Sequence, residues 1–133
     1  MTHAVLPYTI LIVEDYDIAR TAMRLLLEDR GHNVFDVNCG QDALAYCAEL
    51  ATRDASLDIA LVDLGLPDTR GNQLIEKLRA SVEIGQVIYC SGCSREEPEV
   101  QHLLATDKSC AYFEKPVSLD ELLAYIHTVH TQQ

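Results

Sequence analysis

The chain has 133 residues, with 21 Asp plus Glu against 10 Lys plus Arg, a formal net charge of −11 and 48% apolar residues. A chain of this size reads as one domain that buries roughly two-thirds of its unfolded surface, so its core needs neither disulfides nor a structural metal. The negative balance argues against sequence-independent nucleic-acid binding, which draws its affinity from Lys and Arg set against phosphates, and it disfavours anionic membrane surfaces. The longest nearly apolar stretch, Ala4 to Val13, contains Pro7 and falls well short of the ~18 residues of a membrane-span candidate. No Lys or Arg precedes Arg20, so no signal peptide is expected. Cys39, Cys47, Cys90, Cys93 and Cys110 then read as free thiols in a reducing cytoplasm.

Apolar periodicity predicts five repetitions of strand then helix. Tyr8 to Val13 is apolar on successive positions, as a strand buried on both faces should be. A helix follows from Asp17 to Arg30 with Ile18, Ala22, Leu25, Leu26 and Met23 expected inward, and Gly31 ends it. Asn33 to Val37 is a more polar strand suited to a sheet edge. Gln41 to Arg53 is helical, with Ala43, Leu44, Cys47, Ala48 and Ala51 expected on one face, and Asp58 to Asp63 forms the third strand. Gly65, Pro67 and Asp68 punctuate a loop, and Gly71 precedes a helix through Ala80. A fourth strand spans Gln86 to Cys90. Ser94 with Glu97 resembles a capping box, but Pro98 favours the first helical position, which would make Glu97 the cap residue of the next helix, and the later start is preferred. Ala111 to Glu114 is the fifth strand, and Ser118 with Glu121 opens the last helix, whose inner stripe is Leu119, Leu122, Leu123, Ile126 and His130. Five such units imply a parallel sheet with helices on both faces, a doubly wound α/β fold.

In these sheets ligands bind beyond the carboxyl ends of the strands, where strand order reverses. The polar residues at those ends are Glu14 and Asp15, Asp63, Ser91 with Gly92, and Lys115 followed by Pro116. Three crowded carboxylates call for a hard divalent cation such as Mg²⁺, and a lysine across the cleft suits a phosphoryl group bridging metal and ammonium. Taken one at a time these residues have plainer readings. Glu14 and Asp15 also fit a solvated helix start, Ser91 a turn, and Tyr112 an ordinary half-buried strand aromatic.

Together they resemble the receiver domains of two-component response regulators, near the single-domain chemotaxis regulators in length. The likeness runs from about Tyr8 to His130, a domain core at about residues 8–130 within the single domain 1–133. It consists of Glu14-Asp15 after an apolar strand, Asp63 with Pro67 four and Gly71 eight residues later, Ser91-Gly92, and Lys115-Pro116. The resemblance implies a flavodoxin-like sheet of order 2-1-3-4-5. It implies Asp63 as phosphoacceptor, attacking the phosphohistidine of a sensor histidine kinase or histidine phosphotransfer domain. Mg²⁺ would be held by Asp15 and Asp63 directly, by Glu14 through water and by the backbone carbonyl of Gly65. Lys115 and Ser91 would bind the phosphoryl oxygens, and the Lys115-Pro116 bond would be cis. Tyr112 would be the switch aromatic, turning into space vacated as Ser91 moves and remodelling the face of the fourth helix, fifth strand and fifth helix for a downstream protein target. Such a domain catalyses its own phosphorylation without being a conventional turnover enzyme. The stretches Gly31-His32 and Asp63 to Asp68 resemble the receivers of hybrid histidine kinases.

The sequence departs from that family at two places. Lys108 stands where a glycine is usual, seven residues before the lysine, and Ser91 to Lys115 is a residue or two longer than usual, which points to a different output surface. Gly65 and Cys93 occupy the two positions that tune dephosphorylation. Neither readily orients a water, so a long-lived phosphoryl group is expected. Rival readings are a phosphorylation-independent binding module of the same fold and a thiol redox protein using the Cys90-Ser-Gly-Cys93 motif. His127 and His130, three apart on the last helix, could share a metal but read as incidental.

Overall fold

A computed structural model of the chain describes residues 7–107 and 109–131. Five strands alternate with five helices in chain order. They are β1 (Thr9–Val13), α1 (Asp17–Asp29), β2 (Asn33–Val37), α2 (Gly40–Thr52), β3 (Leu57–Asp63), α3 (Gly71–Arg79), β4 (Ile84–Ser91), α4 (Pro98–Thr106), β5 (Cys110–Glu114) and α5 (Leu119–Thr131). The strands form one parallel sheet in the order β2-β1-β3-β4-β5, the expected doubly wound topology. The order reverses between β1 and β3, so their carboxyl ends flank the crevice in which such folds bind ligands. Among the described residues no helix is long and apolar enough to cross a membrane.

Burial follows the pleat. Ile10, Ile12, Ile59, Leu61, Ile88 and Cys90 project to one face and pack with Met23 and Leu27 of α1 and Leu122 and Ile126 of α5. Leu11, Val13, Ala60, Val62, Val87 and Tyr89 project to the other, against the apolar faces of α2, α3 and α4. Both faces are covered, which explains the apolar runs at residues 10–13, 59–62 and 87–90 in the middle strands β1, β3 and β4. β2 lies at an edge and is the most exposed strand, as its polar sequence requires.

Helix ends follow local chemistry. At the end of α1 the Gly31 N–H donates to the Glu28 carbonyl and the His32 N–H to the Leu27 carbonyl, at 2.9 and 3.1 Å. Gly31 has φ +91°, a left-handed conformation that favours glycine, and this completes a Schellman cap. Pro98 opens α4 with Glu97 as its cap residue. Ser118 Oγ accepts the Glu121 N–H at 3.3 Å to start α5. The side chain of His130, expected on the inner stripe of α5, and the whole of Lys108 lie outside the described residues.

The inward faces of α1 and α2 differ from those expected. Ile18 is 69% and Leu25 54% exposed, whereas Met23 and Leu27 are buried. At about 100° per residue, Ile18 and Leu25 share a stripe roughly 140° from Met23. α1 therefore carries two apolar stripes, of which the sheet takes one. In α2 Ala43 and Cys47 are buried as expected, joined by Gly40 and Leu50, whereas Leu44, Ala48 and Ala51, each one position past a buried residue, face solvent. Urea denaturation distinguishes the α1 stripes. Leu27→Ala should lose about 2–5 kcal/mol of stability, and Leu25→Ala should stay within about 0.5 kcal/mol of the parent.

Candidate functional site

Every polar strand-end residue singled out from the sequence lies at the carboxyl edge of the sheet. Glu14 leaves β1, where its N–H donates to the Val37 carbonyl of β2 at 3.1 Å, and its side chain is only 2% exposed. Asp15 follows and is exposed. Asp63 closes β3 and is buried. The carboxylates of Glu14, Asp15 and Asp63 each place an oxygen within 4.8 Å of the others. Lys115, just beyond β5, inserts its ammonium between two of them, with Nζ 2.7 Å from Glu14 Oε1 and 2.9 Å from Asp63 Oδ2. The Lys115 N–H donates to the Ser91 carbonyl at 2.8 Å, which fixes the base of that side chain to the end of β4. The Lys115-Pro116 peptide is cis.

The loop after β3 frames Asp63. The Gly65 N–H donates to Asp63 Oδ1 at 3.0 Å, leaving Oδ2 for the ammonium. A Cβ on Gly71 would stand 2.5 Å from the Asp63 carbonyl oxygen and 3.0 Å from Leu64 Cα. Only glycine lets the start of α3 lie this close to the Asp63 backbone, which accounts for a glycine eight residues after Asp63.

Burial raises the Glu14 carboxyl above its ordinary value, partly opposed by its hydrogen bonds to Lys115 and the Tyr16 N–H, while the Asp63 charge adds to the rise. Burial works to lower the Lys115 ammonium, but its hydrogen bonds and charge contacts with Glu14 and Asp63 outweigh this and raise it. The ammonium is thus fully charged at neutral pH. Three carboxylates with oxygen-only donors form a cluster that could hold a hard divalent cation.

Two side chains that organise this edge were not evident from sequence. Asp68 accepts from both the Gly40 and Gln41 N–H groups, each at 2.9 Å, and so caps α2 from the loop after β3. Its signal was indirect: Cys39, the cap residue of α2, makes no side-chain cap bond, and orphan N–H groups at a helix start need a partner from elsewhere. Arg20, on α1, donates to the Glu14 carbonyl and contacts Asp17 and Asp36. Its pairing with Asp17 is visible in the i,i+3 spacing, but Asp36 comes near only because β2 lies beside β1.

Ser91 and Tyr112 are linked through Cys93. The Cys93 N–H donates to Ser91 Oγ at 3.2 Å, and the Tyr112 hydroxyl donates to the Cys93 carbonyl. The ring was expected to turn inward when Ser91 moves. In the structure it is already buried, with the Arg95 guanidinium 5.7 Å from its centroid and donating to the Tyr112 carbonyl at 2.6 Å. All five cysteines are free. Burial pushes the Cys90 thiol up to about 12, the reverse of what a reactive thiolate needs, which weighs against the redox reading. His127 packs its ring toward His32, with centroids 6.4 Å apart, on the last helix far in sequence from the acidic cluster.

A five-stranded parallel sheet of order β2-β1-β3-β4-β5 with an acidic cluster and a lysine at its carboxyl edge defines a doubly wound, flavodoxin-like α/β domain. The model of the response regulator receiver domain matches residues 10–127, and the chain belongs to that family. It is 30% identical over 121 residues to the cell cycle response regulator CtrA of Brucella ovis, an alignment covering 90% of this chain and 49% of that protein. The chain therefore spans about half the length of the curated relatives it matches. Among solved structures, it is similar to a CheY-like receiver domain from Methanospirillum hungatei, with a TM-score of 0.77, 25% identity and 96% of each chain covered. The receiver domain of the hybrid histidine kinase CckA shares the fold, with a TM-score of 0.75, 24% identity and coverage of 92% of this chain and 98% of that one.

The Asp68 clasp has a pH signature. The two N–H bonds hold its carboxyl below the ordinary value of 3.8. Its contribution to stability is therefore present above that value and lost as pH falls through the lower folded value. Asp68→Asn should flatten the stability profile below pH 3.8 in urea titrations, and an unchanged acid limb would show that the clasp contributes nothing.

Proposed function

We propose that the chain is a phosphorylation-switched receiver of a two-component phosphorelay, with Asp63 as phosphoacceptor. The observation that carries this reading is the Lys115 ammonium held 2.9 Å from Asp63 and 2.7 Å from Glu14, inside a cluster completed by Asp15. A carboxylate oxygen of Asp63 attacks the phosphorus of a phosphohistidine on a sensor kinase or histidine phosphotransfer domain. The new O–P bond forms as the P–N bond breaks, and the imidazole leaves and takes up a proton. Lys115 follows the charge from the carboxylate to the phosphoryl oxygens, and the Ser91 hydroxyl donates to one of them. Charge stabilisation of this kind supplies most of the catalysis of phosphoryl transfer.

The acidic cluster suits Mg²⁺, which Asp15 and Asp63 would hold directly, Glu14 through water, and the Gly65 carbonyl would complete the set. When bound, the ion neutralises phosphoryl oxygens. Beside Glu14 and Lys115 runs an apolar groove of about 520 Å³, lined by Tyr16, Ile18, Ala22, Val117 and Leu119, which offers a protein donor an apolar footing next to the acceptor. The output surface is the face of α4, β5 and α5, reached from the phosphoryl group through Ser91, Cys93 and Tyr112. A cytoplasmic setting fits the five free thiols.

Treatment with acetyl phosphate or phosphoramidate plus Mg²⁺, followed by intact mass measurement, should add one phosphoryl group. The adduct should be absent in Asp63→Asn and suppressed by chelator, and Lys115→Ala should slow its formation about 10²- to 10³-fold. No adduct with either donor would leave a phosphorylation-independent binding module as the reading.

The adduct should also be long-lived. Gly65 is exposed, and a Cβ there would lie 4.0 Å from Asp63 Oδ1, in ordinary contact, so the position has room for a side chain that orients water. Gly65→Asn should shorten the half-life of the phosphorylated chain several-fold in a time course of mass spectra, against an unchanged half-life if water is already held by other groups.

A further inference from the structure

The geometry points to Arg20 as the positioning residue of the acidic pair: its guanidinium fixes the main chain from which Glu14 and Asp15 project, and thereby sets the affinity of the three-carboxylate cluster for a divalent cation. This rests on the reading of that cluster as the cation site of a phosphoacceptor.

Arg20 lies in the first turns of α1, five residues past Asp15, and its side chain is 16% exposed. Each guanidinium nitrogen serves a different partner. Nη1 donates to the Glu14 carbonyl at 2.9 Å, Nε donates to Asp36 Oδ2 at 3.0 Å, and Nη2 meets Asp17 Oδ1 at 2.8 Å. Asp36, near the end of β2, is also held by Arg24 Nε at 3.3 Å. One planar group therefore joins the turn after β1, the first residue of α1 and the neighbouring strand. The Glu14 carbonyl belongs to the peptide unit that leads into Asp15. Fixing that carbonyl fixes the plane of the peptide, and with it the directions in which the buried Glu14 and the exposed Asp15 leave the backbone. Groups that orient metal ligands from behind commonly change metal affinity tenfold or more when altered.

Positioning and simple charge make opposite predictions. A guanidinium close to the carboxylates repels a second cation, so charge alone has Mg²⁺ binding tighten when Arg20 is neutralised. Positioning has it weaken, because the ligand directions are no longer held. Arg20→Lys separates the two without altering charge, since a single ammonium cannot present a planar fork to three acceptors on three elements.

Isothermal titration of Mg²⁺ into the intact chain, with circular dichroism as the check on folding, tests the proposal. Arg20→Lys and Arg20→Ala should each raise the dissociation constant for Mg²⁺ about tenfold, and the Mg²⁺ concentration giving half-maximal phosphorylation by acetyl phosphate should rise in parallel. Equal or tighter binding in Arg20→Ala, or full retention of affinity in Arg20→Lys, would overturn it. If Arg20→Ala does not fold, the charge-conserving Arg20→Lys decides alone. An unaltered chain that neither binds Mg²⁺ nor takes up a phosphoryl group brings down the reading of the cluster and the role of Arg20 together. An unaltered chain that does both, beside variants of equal affinity, brings down the role of Arg20 alone.

Discussion

Three carboxylates share one edge of this sheet, and the Lys115 ammonium is what lets two of them sit there buried. Two like charges about 4 Å apart repel by roughly 4 kcal/mol at the effective dielectric of a protein surface, and Glu14 has almost no water to screen it. The ammonium, bonded to both Glu14 and Asp63, offsets that repulsion. The requirement reaches far into the fold. Lys115 arrives from the far edge strand, so β5 must pair with β4, and β4 with β3, before the charges balance. The site is thus assembled only when β1, β3, β4 and β5 lie side by side, and its positive member serves two anionic partners at once.

Much of this was legible in the chain itself. Alternation of apolar runs with helical periodicity marked ten elements in their observed order, because strands covered on both faces must be apolar throughout and helices covered on one need a stripe. The carboxylates, the hydroxyl and the lysine were found by asking which polar residues end the strands, a question the parallel fold makes decisive. Gly71 was visible as spacing alone. Its physical reason, the contact of α3 with the Asp63 backbone, needed coordinates.

The misses share one cause. α1 carries apolar residues on two stripes, and periodicity cannot say which of them a sheet will cover; the sheet took Met23 and Leu27 and left Ile18 and Leu25 in solvent. In α2 Ala43 and Cys47 were placed inward correctly, but the stripe extends on the side of Leu50 rather than on that of Leu44, Ala48 and Ala51. Arg20 and Asp68 act on partners 16 and 28 residues distant, brought near only by the crossover topology. The Arg95 guanidinium over the Tyr112 ring is likewise a contact between residues 17 apart, with no local signature in the sequence. Periodicity reports what a segment can bury, and topology decides what it meets.

The Asp68 clasp has a consequence for when order is acquired. The loop between β3 and α3 is pinned at its middle to the first turn of α2 and at its start to Asp63 through the Gly65 N–H. Immobilising a free loop costs roughly 1–2 kcal/mol per residue in backbone entropy. Here that cost is met during folding, by hydrogen bonds within the chain itself. Asp63 consequently stands in a frame already ordered by the loop's own hydrogen bonds, and a group that engages its carboxylate does not have to order that loop first.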